Sequence, residues 1–465
     1  MIYPQLYRQH AASASVRVGL IGTGHYGSAI VTQSMAIANL HVSAVADRNV
    51  EAAQRVFELA GVPKEDIAVC GTRAQALAAL PGKRVIVEDP LLLMDLPVDI
   101  IAEATGMPEA GALHAVEAIR HGKHVAMISK EPDSVVGPYL KHLADRAGLV
   151  YTAVDGDQHG LLIGLVGWLR SLGLDVLCAG KSRDAEFVYE PDYSSAALAW
   201  DPNSERRDGC ATISLEDRVY LDFIPEGRAA EFINARRRIF SSLRDAGSFD
   251  YCESVIAANA TGLAPDLPAF HRPILRVKEI PEVLCPISEG GILRRGGIID
   301  LVTCLRGEHE AGLGGGVFAV VGCENEHSRR VLITKGLIAN RRRTSALVVR
   351  PHHLCGVETP TTLLCAALLG IPTGTDTYAQ NYDLILTTTR PMQAGEILNC
   401  EHDASLQASI VPGLRLSGAG PLPAHLGTGR ALTRDLPAGT VITEDAVEIP
   451  EDSFLLSLRK QQDAL

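Results

Sequence analysis

Apolar and polar positions follow two alternating rhythms over the first third of the chain. Val16, Val18, Leu20 and Ile21 make a short apolar run, as a buried parallel strand does, and Ile30, Val31, Met35 and Ile37 then recur at helical spacing. His41–Ala46 reads as a second strand, Glu51–Leu59 as a helix ending near Gly61, Ile67–Cys70 as a strand, and Ala74–Leu80 as a short helix stopped by Pro81 and Gly82. Arg84–Val87 and an apolar excursion at Leu91–Met94 precede a core strand, Val98–Ala102. A helix over Pro108–His121, a strand over His124–Ile128, a break at Ser129–Pro132, a helix over Val135–Ala147 and a strand over Val150–Val154 complete the series. Strands alternating with helices at this spacing predict right-handed crossovers and a doubly wound parallel α/β sheet. Ligands of such sheets sit beyond the carboxyl ends of the strands, so Glu103–Gly106, Ser129–Glu131 and Asp155–Asp157 are expected to open on one cleft.

Beyond a helix at Leu161–Leu172 and a strand at Asp175–Ala179, the texture changes. From Ser182 to about Asn381 arginine, aspartate and loop residues increase, Asn203–Asp208 reads as an exposed loop, and Arg236, Arg237 and Arg238 as a basic helix face. Strand candidates at Gly316–Val321 and Ala346–Val349 suggest a sheet through which subunits pair. The last eighty residues contain an echo: Thr389–Leu398 resembles Thr433–Ile442, each with a polar start, an Ala-Gly turn and an apolar exit, as in a small β-rich module, and Thr443–Val447 follows as a helical cap. The expected organisation is a Rossmann domain at 1–155, an α+β catalytic and dimerisation domain at 156–385, and a small β-rich domain at 386–465.

The first strand ends in Gly22-Thr23-Gly24-His25-Tyr26-Gly27, a G-x-G-x-x-G turn followed by a helix. Gly22 permits the tight turn, Gly24 admits a pyrophosphate close to the backbone, and Gly27 lets helix pack on strand, with the helix N-terminus facing the anion. Asp47 closes the second strand about 20 residues further on, where an acid meets the adenosine ribose hydroxyls. The carboxylate favours NAD; Arg48 beside it is able to cover a 2′-phosphate, which keeps NADP open. Thr105 and Gly106, at the end of a neighbouring strand, complete the expected cofactor contacts.

The chain has 465 residues, 46% hydrophobic and 21% charged, enough for two or three globular domains. A formal net charge of −12 argues against nucleic acid or an anionic membrane as partner and leaves small molecules. Ten cysteines without a C-x-x-C pair fit reduced, buried thiols in a cytoplasm. The first fifteen residues are polar and mixed, with no secretion signal, and the longest apolar run, Leu161–Leu169, is about half of a bilayer span.

Several stretches, in order along nearly the whole chain, carry a family resemblance: Val18–Gly27, Asp99–Gly106, His121–Val125, Gly137–Leu140, Ala179–Lys181, Asn259–Leu263 and Gly429–Val447. Together they resemble the homoserine-dehydrogenase-like oxidoreductases that end in an SAF (antifreeze-like) domain, and among them the deoxyxylulose-phosphate reductoisomerase-like enzymes. The resemblance implies NAD(P)-dependent chemistry, a central catalytic domain and a C-terminal SAF domain. Two departures stand out. The Asn-Gly-Thr-Thr-Asn type of segment of true homoserine dehydrogenases is missing, and Asp245-Ala246-Gly247-Ser248-Phe249 replaces the Asp-Gly-Thr-Lys segment of the reductoisomerase-like branch. The lost lysine removes a cation for a phosphorylated substrate.

Hydride transfer at a carbonyl or alcohol needs a proton donor or acceptor at the oxygen. Lys181, directly after a core strand, is the first candidate, against the alternative of a lysine holding a structural carboxylate. Lys130, at another strand end, is placed to polarise the substrate oxygen unless Glu131 simply pairs with it. Asp157 either orients a lysine or substrate hydroxyl or caps the helix before Leu161. Asn259 and Thr261 offer neutral hydrogen bonds to substrate hydroxyls, and Arg294 with Arg295, between glycine pairs, suit a carboxylate or phosphate. His352 and His353 point to opposite faces of an extended segment and lack a third ligand at recognisable spacing, so no metal is assigned, although an enolising or retro-aldol route would call for a divalent ion. The expected function is an NAD(P)-dependent oxidoreductase, a homo-oligomer (dimer or tetramer), acting on a small polyhydroxylated carbonyl compound or sugar acid. The alternative is a nicotinamide-binding sensor or assembly protein without turnover.

Overall fold

The computed structural model describes residues 3–10, 15–200, 208–241, 243 and 251–465. Helix α1 (Tyr3–His10) precedes an alternating series: β1 (Val16–Ile21), α2 (His25–Ser34), β2 (Leu40–Ala46), α3 (Val50–Leu59), β3 (Ile67–Val69), α4 (Arg73–Ala79), β4 (Arg84–Val87), β5 (Ile100–Glu103), α5 (Pro108–Arg120), β6 (His124–Met127), α6 (Lys130–Arg146) and β7 (Tyr151–Ala153). The seven strands form one sheet in the order β3-β4-β2-β1-β5-β6-β7, every neighbouring pair parallel. The order reverses beside β1, so the glycine turn stands at the switch point of a doubly wound sheet. The apolar excursion at 91–94 is a 3-10 turn, Pro90–Asp95.

Helix α6 starts at Lys130, five residues before the expected Val135. Pro132 had read as a break, but it stands in the first turn, where its missing N–H has no partner to lose, and Glu131 and Asp133 suit the positive helix end.

Helix α7 (Gln158–Ser171) leads into β8 (Asp175–Ser182), β9 (Glu186–Tyr189), β10 (Ser195–Ala199) and β11 (Asp208–Thr212), then α8 (Ala229–Ile239) and α9 (Tyr251–Thr261). There follow β12 (Ala264–Pro265), β13 (Ile274–Leu275), α10 (Ile280–Val283), β14 (Ile298–Gly307), β15 (Val317–Gly322), α11 (Glu326–Thr334), β16 (Ile338–Ala339) and β17 (Ser345–Arg350). Strands β8 to β17 make a mixed sheet ordered β11-β10-β9-β14-β8-β15-β17-β16, with β12 and β13 also on β14. The exposed loop expected at Asn203–Asp208 and the Asp245–Phe249 segment lie outside the described residues, except that Asp208 opens β11. The arginine run of α8 is not a solvated face throughout: Arg236 is fully buried and forked onto Glu279 at 2.7 and 3.0 Å, with three backbone carbonyls taking its remaining N–H groups.

Helix α12 (Thr359–Leu364) and the π-helical turn Cys365–Leu369 then return to the first sheet. Leu363, Leu364 and Ala366 join the core made by Val16, Val18, Leu20, Ile30 and Val42, so the first domain is completed from the distant end of the middle region. The final part contains the antiparallel pair β18 (Tyr382–Thr388) and β19 (Leu406–Pro412), α13 (Ala424–Gly427) and α14 (Phe454–Gln462). The boundary expected at 385/386 therefore falls inside β18. The two echoed segments pair with each other: Met392 N–H donates to Leu436 O and Leu436 N–H to Met392 O, both at 2.8 Å. Helix α14 leaves this module and lies on α5 and α6, held by Arg459, which is fully buried and forks onto Asp383 at 2.6 and 2.7 Å. The expected cap at Thr443–Val447 is a 3-10 turn, Glu444–Ala446.

Candidate functional site

The glycine turn leaves room where an anion would approach. Gly22 has φ +93°, and Gly24, at the N-cap of α2, has no atom within 4 Å of where a Cβ would stand. A Cβ on Gly27 would lie 2.1 Å from Gly22 O, so helix and strand meet closely there. This open cradle at a helix N-terminus fits a dinucleotide pyrophosphate. Asp47 Oδ2 accepts the N–H and hydroxyl of Thr23 at 2.8 and 2.6 Å, and its Oδ1 accepts Asn49 N–H at 2.8 Å. Burial alone would raise the Asp47 carboxyl, but these donors hold it below the usual carboxylate range, so the acid ties the turn to the end of β2 as an anion. His25 is exposed. Tyr26 turns away from the turn and donates its hydroxyl towards Asp155 O, sharing a hydrogen bond with Thr359 at 2.9 Å. Arg48 is exposed next to Asp47. Thr105 is bound to Glu103 at 2.6 Å, and Gly106 N–H to Ser129 Oγ at 2.8 Å.

A cavity of about 300 Å³ opens at the carboxyl edge of the sheet, walled by Gly106, Lys130, Asp157, Asp184, Glu253 and His353 among others. Lys130 reaches it from the first turn of α6 and Asp157 from the N-cap of α7. On its wall Lys130 Nζ donates to Glu253 Oε1, and from behind the wall Lys181 Nζ donates to Glu253 Oε2. One buried carboxylate thus bridges two ammonium groups, and with Asp157 the formal charges of the four groups cancel. Burial would raise Asp157, but the charges of His159, Lys130 and Lys181 and the Gln158 N–H hold it down as a carboxylate. Asp157 both caps the helix, at 2.8 Å from Gln158 N, and faces the lysines.

Lys181 sits within β8, which runs through Ser182, and its side chain is 5% exposed behind Glu253, whereas Lys130 is 24% exposed. Lys130 and Glu253 are therefore wall groups and Lys181 stands one layer back. Cys355 also lines the cavity; burial, then the charges of Asp157, Asp184 and Glu253, push its thiol up to about 12, so it is no nucleophile at neutral pH. His353 is half-buried with Nδ1 at 2.6 Å from Gly315 O, while His352 is exposed.

Four expected substrate residues lie apart from this cavity. Asn259 spends its amide on the backbone of Asn381 and Tyr382 at 2.8 to 3.0 Å, fastening α9 to β18. Thr261 bonds back to Ala257 O at 2.6 Å. Both stand further along α9 than Glu253, about 9 Å or more at 1.5 Å per residue. Arg294 is exposed and pairs with Asp266 at 3.0 Å, and Arg295 is exposed beside it.

Glu253 escaped the sequence reading. Its signal was a single acid in a helix whose residues from Tyr251 to Ala260 are all buried, a setting in which a carboxylate requires cationic partners. Asp157, His159 and Glu253 also present one donor atom each within 4.8 Å of one another, an arrangement sequence spacing did not suggest. A metal ion there would meet both ammonium groups that already neutralise Glu253, so these donors do not suit one.

Comparison with known proteins bears on the middle of the chain. Residues 156–359 match the family described as oxidoreductase DRL, catalytic domain. No curated protein matches the chain. Among solved structures it is similar to an NAD binding oxidoreductase from Klebsiella pneumoniae (21% identity, 37% of this chain and 43% of that one, TM-score 0.27). It is also similar to KijD10, a 3-ketoreductase from Actinomadura kijaniata solved with NADP and TDP-benzene (19%, 38% and 48%, TM-score 0.25). A levoglucosan dehydrogenase solved with NADH and L-sorbose gives 17%, 41% and 45%, with a TM-score of 0.27. The chain spans about half the length of the solved structures it matches. No helix among the described residues is long and apolar enough to cross a membrane.

Proposed function

We propose that the chain is an NAD(P)-dependent oxidoreductase that interconverts a carbonyl and an alcohol on a small polyhydroxylated compound or sugar acid. The observation that carries this reading is the bridge from Lys130 through Glu253 to Lys181 in a cavity at the strand ends, beside a glycine cradle shaped for a dinucleotide. A bound nicotinamide supplies or accepts the hydride. Lys130 hydrogen-bonds the substrate oxygen and gives it a proton as the carbonyl is reduced; in the reverse direction it takes that proton from the alcohol. Glu253 holds the ammonium in place, and Lys181 keeps Glu253 ionised from behind. Asp157 balances the second positive charge and is placed to orient a substrate hydroxyl.

The match of residues 156–359 to oxidoreductase DRL supports oxidoreductase chemistry in the middle domain; the finer reading, a reductoisomerase resembling the deoxyxylulose-phosphate reductoisomerase-like enzymes with the C-terminal part an SAF-like module, rests on the sequence resemblance. The test is thermal stabilisation by NAD(H) and NADP(H), followed by nicotinamide absorbance with a panel of sugar phosphates and sugar acids. Lys130→Ala is expected to lower turnover by about 100-fold or more while the cofactor-induced stabilisation persists. Lys181→Ala is expected to act through Glu253 and to move the pH profile of the residual activity. Cofactor binding without turnover on any carbonyl or alcohol would favour a nicotinamide sensor, and no binding would refute both readings.

A further inference from the structure

We propose that Cys252, Glu401 and His425 form a buried site for a divalent metal ion of the zinc class, which clasps the C-terminal module to helix α9. The inference does not depend on the dinucleotide or substrate reading. The three residues come from separate parts of the chain: Cys252 from the first turn of α9, Glu401 from the segment before β19, and His425 from α13. One donor atom of each lies within 4.8 Å of the others, and all three residues are buried. Glu401 and His425 side chains are only 1% and 3% exposed.

The spacing of the two polar tips is also that of two ligands on one ion. Glu401 Oε2 and His425 Nε2 stand 3.2 Å apart as an ion pair, and beyond each other neither buried atom has a hydrogen-bond partner among the described residues. Two ligands on a tetrahedral ion with bonds of about 2.0 Å are separated by about 3.3 Å, so an ion could take the place of the direct contact with little movement of either residue. The outer contacts suit ligands. His425 Nδ1 is 3.3 Å from Thr428 Oγ1, which orients the ring, and Glu401 Oε1 accepts the Cys252 N–H at 3.2 Å, leaving Oε2 for the ion. Thiolate, imidazole and carboxylate together are a donor set that zinc accepts and that magnesium or calcium does not favour. When the ion binds, the sulfur–metal bond forms and the Cys252 thiol proton leaves to solvent. Because Glu253 is the next residue, the clasp would also hold the carboxylate that bridges the two lysines.

The test uses full-length protein stripped with a chelator and titrated with Co(II) and, separately, Zn(II). One equivalent of Co(II) per chain should give thiolate-to-metal charge-transfer absorption in the near ultraviolet, which Zn(II) displaces, and Zn(II) should raise the melting temperature. Cys252→Ser should abolish that absorption. Should it fail to fold, Thr428→Val, which leaves the three ligands in place, should weaken Zn(II) affinity by about 10-fold or more. Co(II) bound without thiolate absorption, no stoichiometric binding, or an unchanged spectrum in Cys252→Ser and unchanged affinity in Thr428→Val would overturn the proposal.

Discussion

Two glycines of the same turn should respond to alanine in opposite ways. At Gly27 the added Cβ would stand 2.1 Å from the carbonyl oxygen of Gly22 and 3.4 Å from Leu20 Cδ2. A carbonyl of the backbone cannot swing aside, so α2 must retreat from β1 by about 1 Å, and overpacking of this kind costs about 1–3 kcal/mol. At Gly24 nothing lies within 4 Å, and its φ of −65° is one that alanine adopts freely. Gly24→Ala should therefore change stability by about 0.5 kcal/mol or less, with a small gain from the unfolded chain expected. Its methyl group, however, occupies the approach to the backbone that the pyrophosphate needs, and a loss of tenfold or more in dinucleotide affinity corresponds to about 1.4 kcal/mol or more. Denaturant unfolding read by circular dichroism measures the first effect, and the rise in melting temperature with increasing NAD(H) or NADP(H) measures the second. Wild-type cofactor affinity in Gly24→Ala would refute the placement of the pyrophosphate at this turn; wild-type stability in Gly27→Ala would refute the helix–strand contact.

Asp47→Asn removes the charge and leaves one acceptor oxygen, which serves the Thr23 pair or Asn49 but not both, and the ratio of NADP to NAD affinity should rise by about tenfold, measured by titration of each cofactor. Asp133 is fully buried, with Oδ2 unpaired, and burial pushes its carboxyl up to about 6 against the hydrogen bond from Tyr151. A folded value above the unfolded one means that the folded protein holds the proton more tightly. Stability is then greatest below about pH 4 on this account and falls as pH rises to about 6, by at most about 3 kcal/mol. Asp133→Asn should flatten the stability profile between these limits, and an unchanged slope would exclude Asp133 as its source. Arg459→Leu leaves the buried Asp383 without its cation, with Gln380 Nε2 and Leu414 N–H still donating to it, and should destabilise the protein by about 3–5 kcal/mol, with α14 becoming the first site of proteolysis.

The parallel sheet could be read from the chain because its signals are local: an apolar run, a turn residue and a helical period, repeated. Gly22, Gly24, Gly27 and Asp47 follow from one strand–turn–helix–strand unit, and the structure keeps their relative order at the switch point. Lys130 and Asp157 could be placed near one cleft for the same reason, since both follow strands of that sheet. Glu253 could not. Its role depends on α9 packing against α6 and α7, contacts far apart in sequence, and the same holds for the return of residues 359–369 to the first sheet. Asn259 shows the converse: a polar residue in an apolar helix suggests a ligand contact, but here it satisfies the backbone of a crossing segment. Arg236 shows that a run of like charges does not imply solvent, since Glu279 and three carbonyls receive it inside.

That return also bears on synthesis. Residues 15–154 contain every strand of the parallel sheet, yet one of its faces stays bare of Leu363, Leu364 and Ala366 until they have been translated. At about 5–20 residues per second the ribosome needs roughly 10–40 s to reach them. During that interval the nascent sheet shows apolar surface to its surroundings, and a protein cut after β7 would show it permanently. Expression of residues 1–155 alone should yield aggregates, and coexpression with a segment spanning 355–371 should restore solubility, since Gly356 is the residue that closes against Ala29 on α2.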